Sequence, residues 1–150
     1  MSRDSFRCSC PVRVRWSEVD RQGIVFNGHY LNFFDVAATE YWRAIGCEYP
    51  AWFEKHAVDT FVVKATLEYH QPAGFDDMLD VLVRVARIGR TSLTVALEVH
   101  RGADHLVTGE IVYVVASSDT RKPMPVPAEF REAIVAYEVT APEQAGAVTA

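Results

Sequence analysis

Residues 28 to 45 read G-H-Y-L-N-F-F-D-V-A-A-T-E-Y-W-R-A-I. Leu31, Phe34, Ala38, Tyr41, Trp42 and Ile45 recur at three- and four-residue spacing, which places them on one face of a helix. Phe33, Val36 and Ala37 widen that face, and Asn32, Asp35, Thr39 and Arg43 leave only a narrow polar stripe. A helix this apolar has to be surrounded by other structure rather than laid on a surface. Asn27 is a favoured N-cap for it, because its side-chain oxygen can accept from a free N–H of the first turn. Gly46 is placed to stop it, since glycine takes the left-handed conformation that closes a helix without steric cost. The following Y-P-A-W-F-E-K-H (49–56) reads as a short helix from near Pro50 or as an ordered loop.

What surrounds the helix reads as strand. Residues 60–70 (T-F-V-V-K-A-T-L-E-Y-H), 79–88 (L-D-V-L-V-R-V-A-R-I), 92–101 (S-L-T-V-A-L-E-V-H-R) and 105–117 (H-L-V-T-G-E-I-V-Y-V-V-A-S) are rich in β-branched residues and alternate over much of their length. The breaks at Q-P-A-G-F-D-D (71–77), G-R-T (89–91) and G-A-D (102–104) are short, which favours antiparallel neighbours in a meander. Upstream, residues 10–16 (C-P-V-R-V-R-W) alternate with Val12, Val14 and Trp16 on one side, as a half-buried strand does. Pro123, Pro125 and Pro127 end the last strand, A-E-F-R-E-A-I-V-A-Y (128–137) reads as a C-terminal helix, and residues 141–150 read as a frayed tail. The expectation is an α+β chain in which an antiparallel sheet wraps a central helix, one domain over residues 1–150 with its core at about 10–136.

Composition narrows the partners. At 150 residues and 49% hydrophobic, the chain can bury a substantial single core. A net charge of −5 and a pI near 5.5 argue against nucleic acid and anionic membrane surfaces, which need clustered positive charge. The opening M-S-R-D-S-F-R lacks the apolar core of a signal peptide, and no apolar run approaches bilayer length, so a cytoplasmic protein is expected. Cys8, Cys10 and Cys47 make an odd count without zinc or thioredoxin spacing and read as reduced thiols. His29, His56, His70, His100 and His105 fit no metal-ligand motif, so neither a metal nor a redox cofactor is expected.

Just ahead of the helix, residues 18–34 read E-V-D-R-Q-G-I-V-F-N-G-H-Y-L-N-F-F. Fully extended, the seven steps from Asp20 to Asn27 would span roughly 24 Å. Gly23 permits a positive φ, so a turn there would bring Asp20 back toward residues 27–30, with Ile24, Val25 and Phe26 anchoring the loop. Free N–H groups at a helix start suit an oxyanion, so a carboxylate beside them points to acyl-group chemistry. Glu18 would share a face with Asp20 in an extended segment, or serve as a partner for Arg15 or Arg21.

The order Asp20, then Gly23, then Tyr30 resembles the signature of the hotdog-fold acyl-CoA thioesterases of the 4-hydroxybenzoyl-CoA thioesterase family. The resemblance runs over roughly residues 10–130, including Y-H-Q-P-A-G-F-D-D-M-L-D-V (69–81) and G-R-T-S-L (89–93). It implies a hotdog fold and an acyl-CoA substrate, with coenzyme A entering only as part of that substrate. It also implies a homodimer or homotetramer built by continuing the sheet between copies. Asp20 would be the catalytic carboxylate, as nucleophile or as general base, and Asn27 would offer a backbone N–H to the oxyanion, with Gly28 beside it. Gly23, His29 and Tyr30 would border the substrate. Arg87, Arg90, Thr91 and Ser92, at the 89–91 turn, would lie near the pantetheine and nucleotide of coenzyme A.

Some members of that family carry His where this chain has Asn27, and asparagine cannot exchange a proton near neutral pH. His29 is the neighbour that could compensate. A different hotdog lineage uses an acid on the helix, which makes Asp35 and Glu40 the rivals of Asp20. Two other readings stand beside hydrolysis: a hydratase or dehydratase, disfavoured because no histidine follows Asp20 at D-x-x-x-x-H spacing, and a non-catalytic acyl-CoA binding module.

Overall fold

The apolar stretch forms α1 (His29–Ala44), a 16-residue helix, in the computed structural model, which describes residues 2–145. Tyr30, Phe33, Phe34, Ala37, Ala38, Tyr41 and Trp42 are buried along it. Leu31 and Val36, expected on the buried face, are instead 42% and 50% exposed. The helix also starts later than expected: its first residue is His29, Gly28 (φ −71°, ψ −20°) stands at the cap position without a side-chain cap bond, and Asn27 lies in the preceding turn. At the other end Gly46 sits at φ +82° and donates its N–H to the Arg43 carbonyl, as expected of a stop. A short helix, α2 (Ala51–Lys55), follows it.

The sheet comprises β1 (Cys8–Arg13), β2 (Val58–Tyr69), β3 (Met78–Ile88), β4 (Ser92–Arg101) and β5 (Asp104–Ser117), in the order β1-β3-β4-β5-β2 with every neighbour antiparallel. β3, β4 and β5 form the expected meander. β2 departs from it, pairing with β5 from Val58 to Tyr69 rather than with β3. Residues 70–77 are therefore a crossover rather than a hairpin. Eight extended residues reach about 26 Å, whereas the three strand spacings between β2 and β3 need about 14 Å, so the connection is long enough.

β1 is shorter and earlier than the alternation of residues 10–16 suggests. Val14 is buried, but its N–H and carbonyl bond to Asp77 and Asp76, and the chain leaves the sheet there. Trp16 lies in a 3-10 turn (Trp16–Glu18), 73% exposed and edge-on to Phe75 at 5.1 Å. Pro11 is tolerated in β1 because this is an edge strand. The C-terminal helix, α3 (Ala128–Tyr137), buries Phe130 and Ile134. The segment beyond it, expected to fray, docks in part: β6 (Glu143–Gln144) pairs parallel with Arg87 and Ile88 of β3, and the Ala145 N–H bonds to the Ile88 carbonyl. Residues 146–150 of that expected tail lie outside the described residues. No helix among the described residues is long and apolar enough to cross a membrane.

α1 is seated on the sheet by a missing side chain. A Cβ placed on Gly109 of β5 would lie 2.4 and 2.6 Å from atoms of the Phe34 ring, so Phe34 occupies the space a larger residue would fill. Gly109→Ala should therefore cost about 1–3 kcal/mol by overpacking, read as a lower denaturation midpoint at unchanged slope. Because the clash is with one ring, Phe34→Leu combined with Gly109→Ala should lose less than the sum of the two single changes. An unchanged midpoint for Gly109→Ala would contradict this account of the packing.

Candidate active site

The loop carrying Asp20 is a closed turn. The Asp20 N–H donates to the Ile24 carbonyl at 2.9 Å, and the Gly23 N–H donates to the Asp20 carbonyl at 2.9 Å. Gly23 is at φ +78°, the conformation that its lack of a side chain makes cheap. Asp20 Oδ1 accepts from the Gln22 N–H at 2.7 Å, which fixes the carboxylate relative to the turn. Beyond the turn, the Val25 N–H donates to the Ala73 carbonyl at 2.8 Å and Ile24 bridges Gly74, so the crossover holds the loop in place. Val25 is the buried anchor here, whereas Phe26 is 47% exposed.

Glu18 has a different role from Asp20. Its Oε1 accepts from the Arg15 backbone N–H at 2.7 Å and its Oε2 from the Arg15 guanidinium at 3.0 Å, with the carboxylate buried. Burial alone would raise its pKa, but the hydrogen bonds and charge of Arg15 outweigh it, and the carboxyl is held below its usual value. Glu18 thus stays ionised and closes the 3-10 turn that delivers Asp20. The two carboxylates do not share a cleft.

Asp20, Gln22, Asn27, Tyr30, Tyr69 and His70 line one cavity of about 320 Å³ at the start of α1. The Tyr69 hydroxyl donates to the Asn27 carbonyl at 3.0 Å, tying the end of β2 to the helix entry. Tyr30 meets Tyr69 edge-on at 5.8 Å, and burial raises the Tyr30 phenol pKa, so it remains a neutral hydroxyl. The His29 N–H is spent on the Phe26 carbonyl. The backbone N–H groups of Asn27 and Gly28 make no hydrogen bond among the described residues. A carboxylate and two unspent donors at a helix entry can stabilise negative charge on a carbonyl oxygen while a nucleophile is delivered to its carbon.

Of the residues expected from sequence, Asp20, Asn27 and Tyr30 come together in this cavity. Gly23 and Gly28 adjoin the cavity in sequence but do not line it; a Cβ on Gly28 would come within 3.1 Å of the Phe26 ring. His29 lies outside the wall, its ring edge-on to Phe26 and its Nδ1 3.4 Å from Asn32. Arg87, Arg90, Thr91 and Ser92 sit at the opposite end of β3 from Met78, where the chain enters from the crossover that holds the Asp20 loop. The 11-residue strand spans about 33 Å, so one chain does not bring these four to its own Asp20. Both arginines are exposed and form no ion pair among the described residues. The helix acids point elsewhere: Glu40 pairs with Arg43, and Asp35 is exposed on a different side of α1. Sequence reasoning gave no role to Tyr69, His70, Gln71 and Pro72, which form the cavity's second wall. Their signal was the break after the second strand, since loops beside a rigid sheet commonly carry sites.

Residues 14–134 match the Thioesterase-like superfamily. An acyl-CoA thioester hydrolase, YbgC, from Escherichia coli O6:H1 is 30% identical over 81% of this chain and 94% of its own length. The acyl-CoA thioesterase YbgC of Haemophilus influenzae is 32% identical over 79% and 85%. Among solved structures, a thioesterase complexed with coenzyme A and Zn from Thermus thermophilus superposes with a TM-score of 0.79 at 28% identity, covering 91% of this chain and 98% of that one. The sheet that wraps α1, the cavity at the helix entry and these likenesses agree: this hotdog-fold chain belongs to the Thioesterase-like superfamily.

Proposed function

We propose that this chain is an acyl-CoA thioester hydrolase that releases a free acid and coenzyme A, with Asp20 as its catalytic carboxylate. The observation that carries the reading is the Asp20 carboxylate lining the same cavity as the helix entry, where the Asn27 and Gly28 N–H groups are unspent. The thioester carbonyl oxygen takes those donors, whose fixed orientation favours the charge that develops as its carbon becomes tetrahedral. Asp20 then acts by one of two balanced routes. As general base it accepts a proton from water while the oxygen attacks, and collapse expels the thiolate of coenzyme A, which is reprotonated. As nucleophile it displaces that thiolate to form a mixed anhydride, which water hydrolyses to restore the carboxylate. Neither route requires a metal or a redox group. Tyr30 and Tyr69 offer the acyl group an aromatic wall.

The oligomer belongs to the same proposal. β2 is a 12-residue sheet edge with Phe61, Val62 and Val63 39%, 58% and 59% exposed, and such an edge invites a second copy. If two β2 edges pair antiparallel, the dyad brings the partner's 89–91 turn to the Asp20 end of the sheet, three strand spacings or about 14 Å beyond β2. Arg87, Arg90, Thr91 and Ser92 would then serve the coenzyme A held in the opposite chain's cavity. The acidic chain needs local cations of this kind for phosphates.

Asp20→Asn should lower kcat for thiol release from acyl-CoA substrates by about 10²-fold or more, with KM little changed. Near-native turnover in the folded variant would contradict the assignment. For the oligomer, Val62→Lys with Val63→Glu on the open edge should shift the light-scattering mass from dimer or tetramer toward monomer and lower activity with it. A wild-type chain that is monomeric at micromolar concentration and fully active would refute the dimer.

A further inference from the structure

β4 and β5 carry a second cluster of chemically able side chains, on the sheet face away from α1. Leu97, Val99 and Val107 point into the core, so the alternating positions Glu98 and Thr108 point outward. The 101–104 turn sets His100, which shares a face with Glu98, directly across from His105, and an extra residue on β5, Leu106, turns His105 to that same face. The two imidazoles stack, with centroids 4.6 Å apart and planes 11° apart. His100 Nε2 lies 2.8 Å from Glu98 Oε1 and His105 Nε2 3.6 Å from the same oxygen, with the Val107 carbonyl at 3.1 Å as a nearer partner of His105 that a bound ion would replace. His70 lies beside them, its ring 5.0 Å from that of His105, and Thr108 Oγ1 sits between the two, 2.9 and 3.0 Å from their Nε2 atoms.

We propose that Glu98, His100 and His105 form a binding site for a divalent transition-metal ion of the zinc class, with His70 beside the open coordination position. Three ligand atoms lie within 4.8 Å of one another. Zinc–ligand bonds of about 2.0–2.1 Å place tetrahedral ligands about 3.4 Å apart, close to the His105–Glu98 separation and a small opening of the His100–Glu98 contact. Two imidazoles and a carboxylate suit zinc rather than calcium or magnesium, which take oxygen ligands. Charge favours the same ion. Glu98 is 5% exposed, and a buried carboxylate needs compensating positive charge. A dication held by the two imidazoles supplies such charge. His105, with 38% of its side chain exposed, stands at the rim of an outer-face groove of about 330 Å³ that also reaches Glu98 and Thr108, which gives the ion an entry path.

The ion would act on the candidate active site from behind, as a brace. The His70 and Gln71 N–H groups both bond to the Leu106 carbonyl, and Tyr69 to Pro72 form one wall of the Asp20 cavity. An ion bound at the β4–β5 hairpin beside His70 would fix that wall without touching the reacting atoms.

The test is calorimetric titration of zinc chloride into untagged protein previously stripped with a chelator. One ion per chain is expected, together with a higher Tm for the loaded protein. His100→Ala and His105→Ala should each weaken binding by about 100-fold or more, beyond the 10–100-fold cost usual for outer-shell partners. His56→Gln, a histidine paired with Glu129 in another part of the chain, should leave binding unchanged. Should His100→Ala fail to fold, the partly exposed His105→Ala decides alone, provided its metal-free Tm matches wild type. Three results would overturn the site: no stoichiometric binding, undiminished binding by His105→Ala, or a thiolate-to-metal charge-transfer band in the cobalt form, which would place the ion on cysteine.

Discussion

The seating of Phe34 against Gly109 sets how deeply α1 lies in the sheet, and the rest of the molecule is arranged around that depth. A residue with a side chain at position 109 would push the helix outward and with it the helix entry. That entry is where the proposed chemistry is placed, because a helix start leaves backbone donors unsatisfied. Three further ties hold it in register: the Tyr69 hydroxyl on the Asn27 carbonyl, the Val25 N–H on Ala73, and the Ile24–Gly74 bridge. Helix, loop and crossover thus form one rigid corner rather than three mobile pieces. Preorganised donors need not reorient as charge develops.

Two neighbouring carboxylates illustrate how environment divides labour. Glu18 is buried, clamped by Arg15 through backbone and side chain, and kept ionised as a structural anion. Asp20, two residues on, spends only Oδ1 on its own turn and lines an open cavity. Loss of Glu18 would loosen the turn that presents Asp20, so a defect there would arise through positioning.

Much of this was legible in the sequence where the signal was local. The periodicity of residues 28–45 gave the helix, and alternation gave the four long strands to within a few residues. Gly46 and Gly23 both adopt the left-handed backbone expected of them. What failed was non-local. β2 lies beside β5 because long-range register decides pairing, which loop length cannot reveal. Leu31 and Val36 fit the helical pattern yet face outward, because no described element covers that flank of α1. Asn27 is not the cap because a tight turn, closed by the His29 N–H on the Phe26 carbonyl, runs directly into the helix. The juxtaposition of Glu98, His100 and His105 is non-local in the same way, with no spacing in the sequence that announces it. A hairpin register brings them together instead.

The central claim is that the thioester sits at the entry of α1 between Asp20 and the backbone donors. A crystal structure with a non-hydrolysable acyl-CoA analogue tests it most directly. The account predicts the analogue's carbonyl oxygen within hydrogen-bond reach of the Asn27 or Gly28 N–H, about 2.7–3.1 Å, with the Asp20 carboxylate facing the carbonyl carbon. A carbonyl bound instead beside Asp35 or Glu40, away from the helix entry, would contradict it.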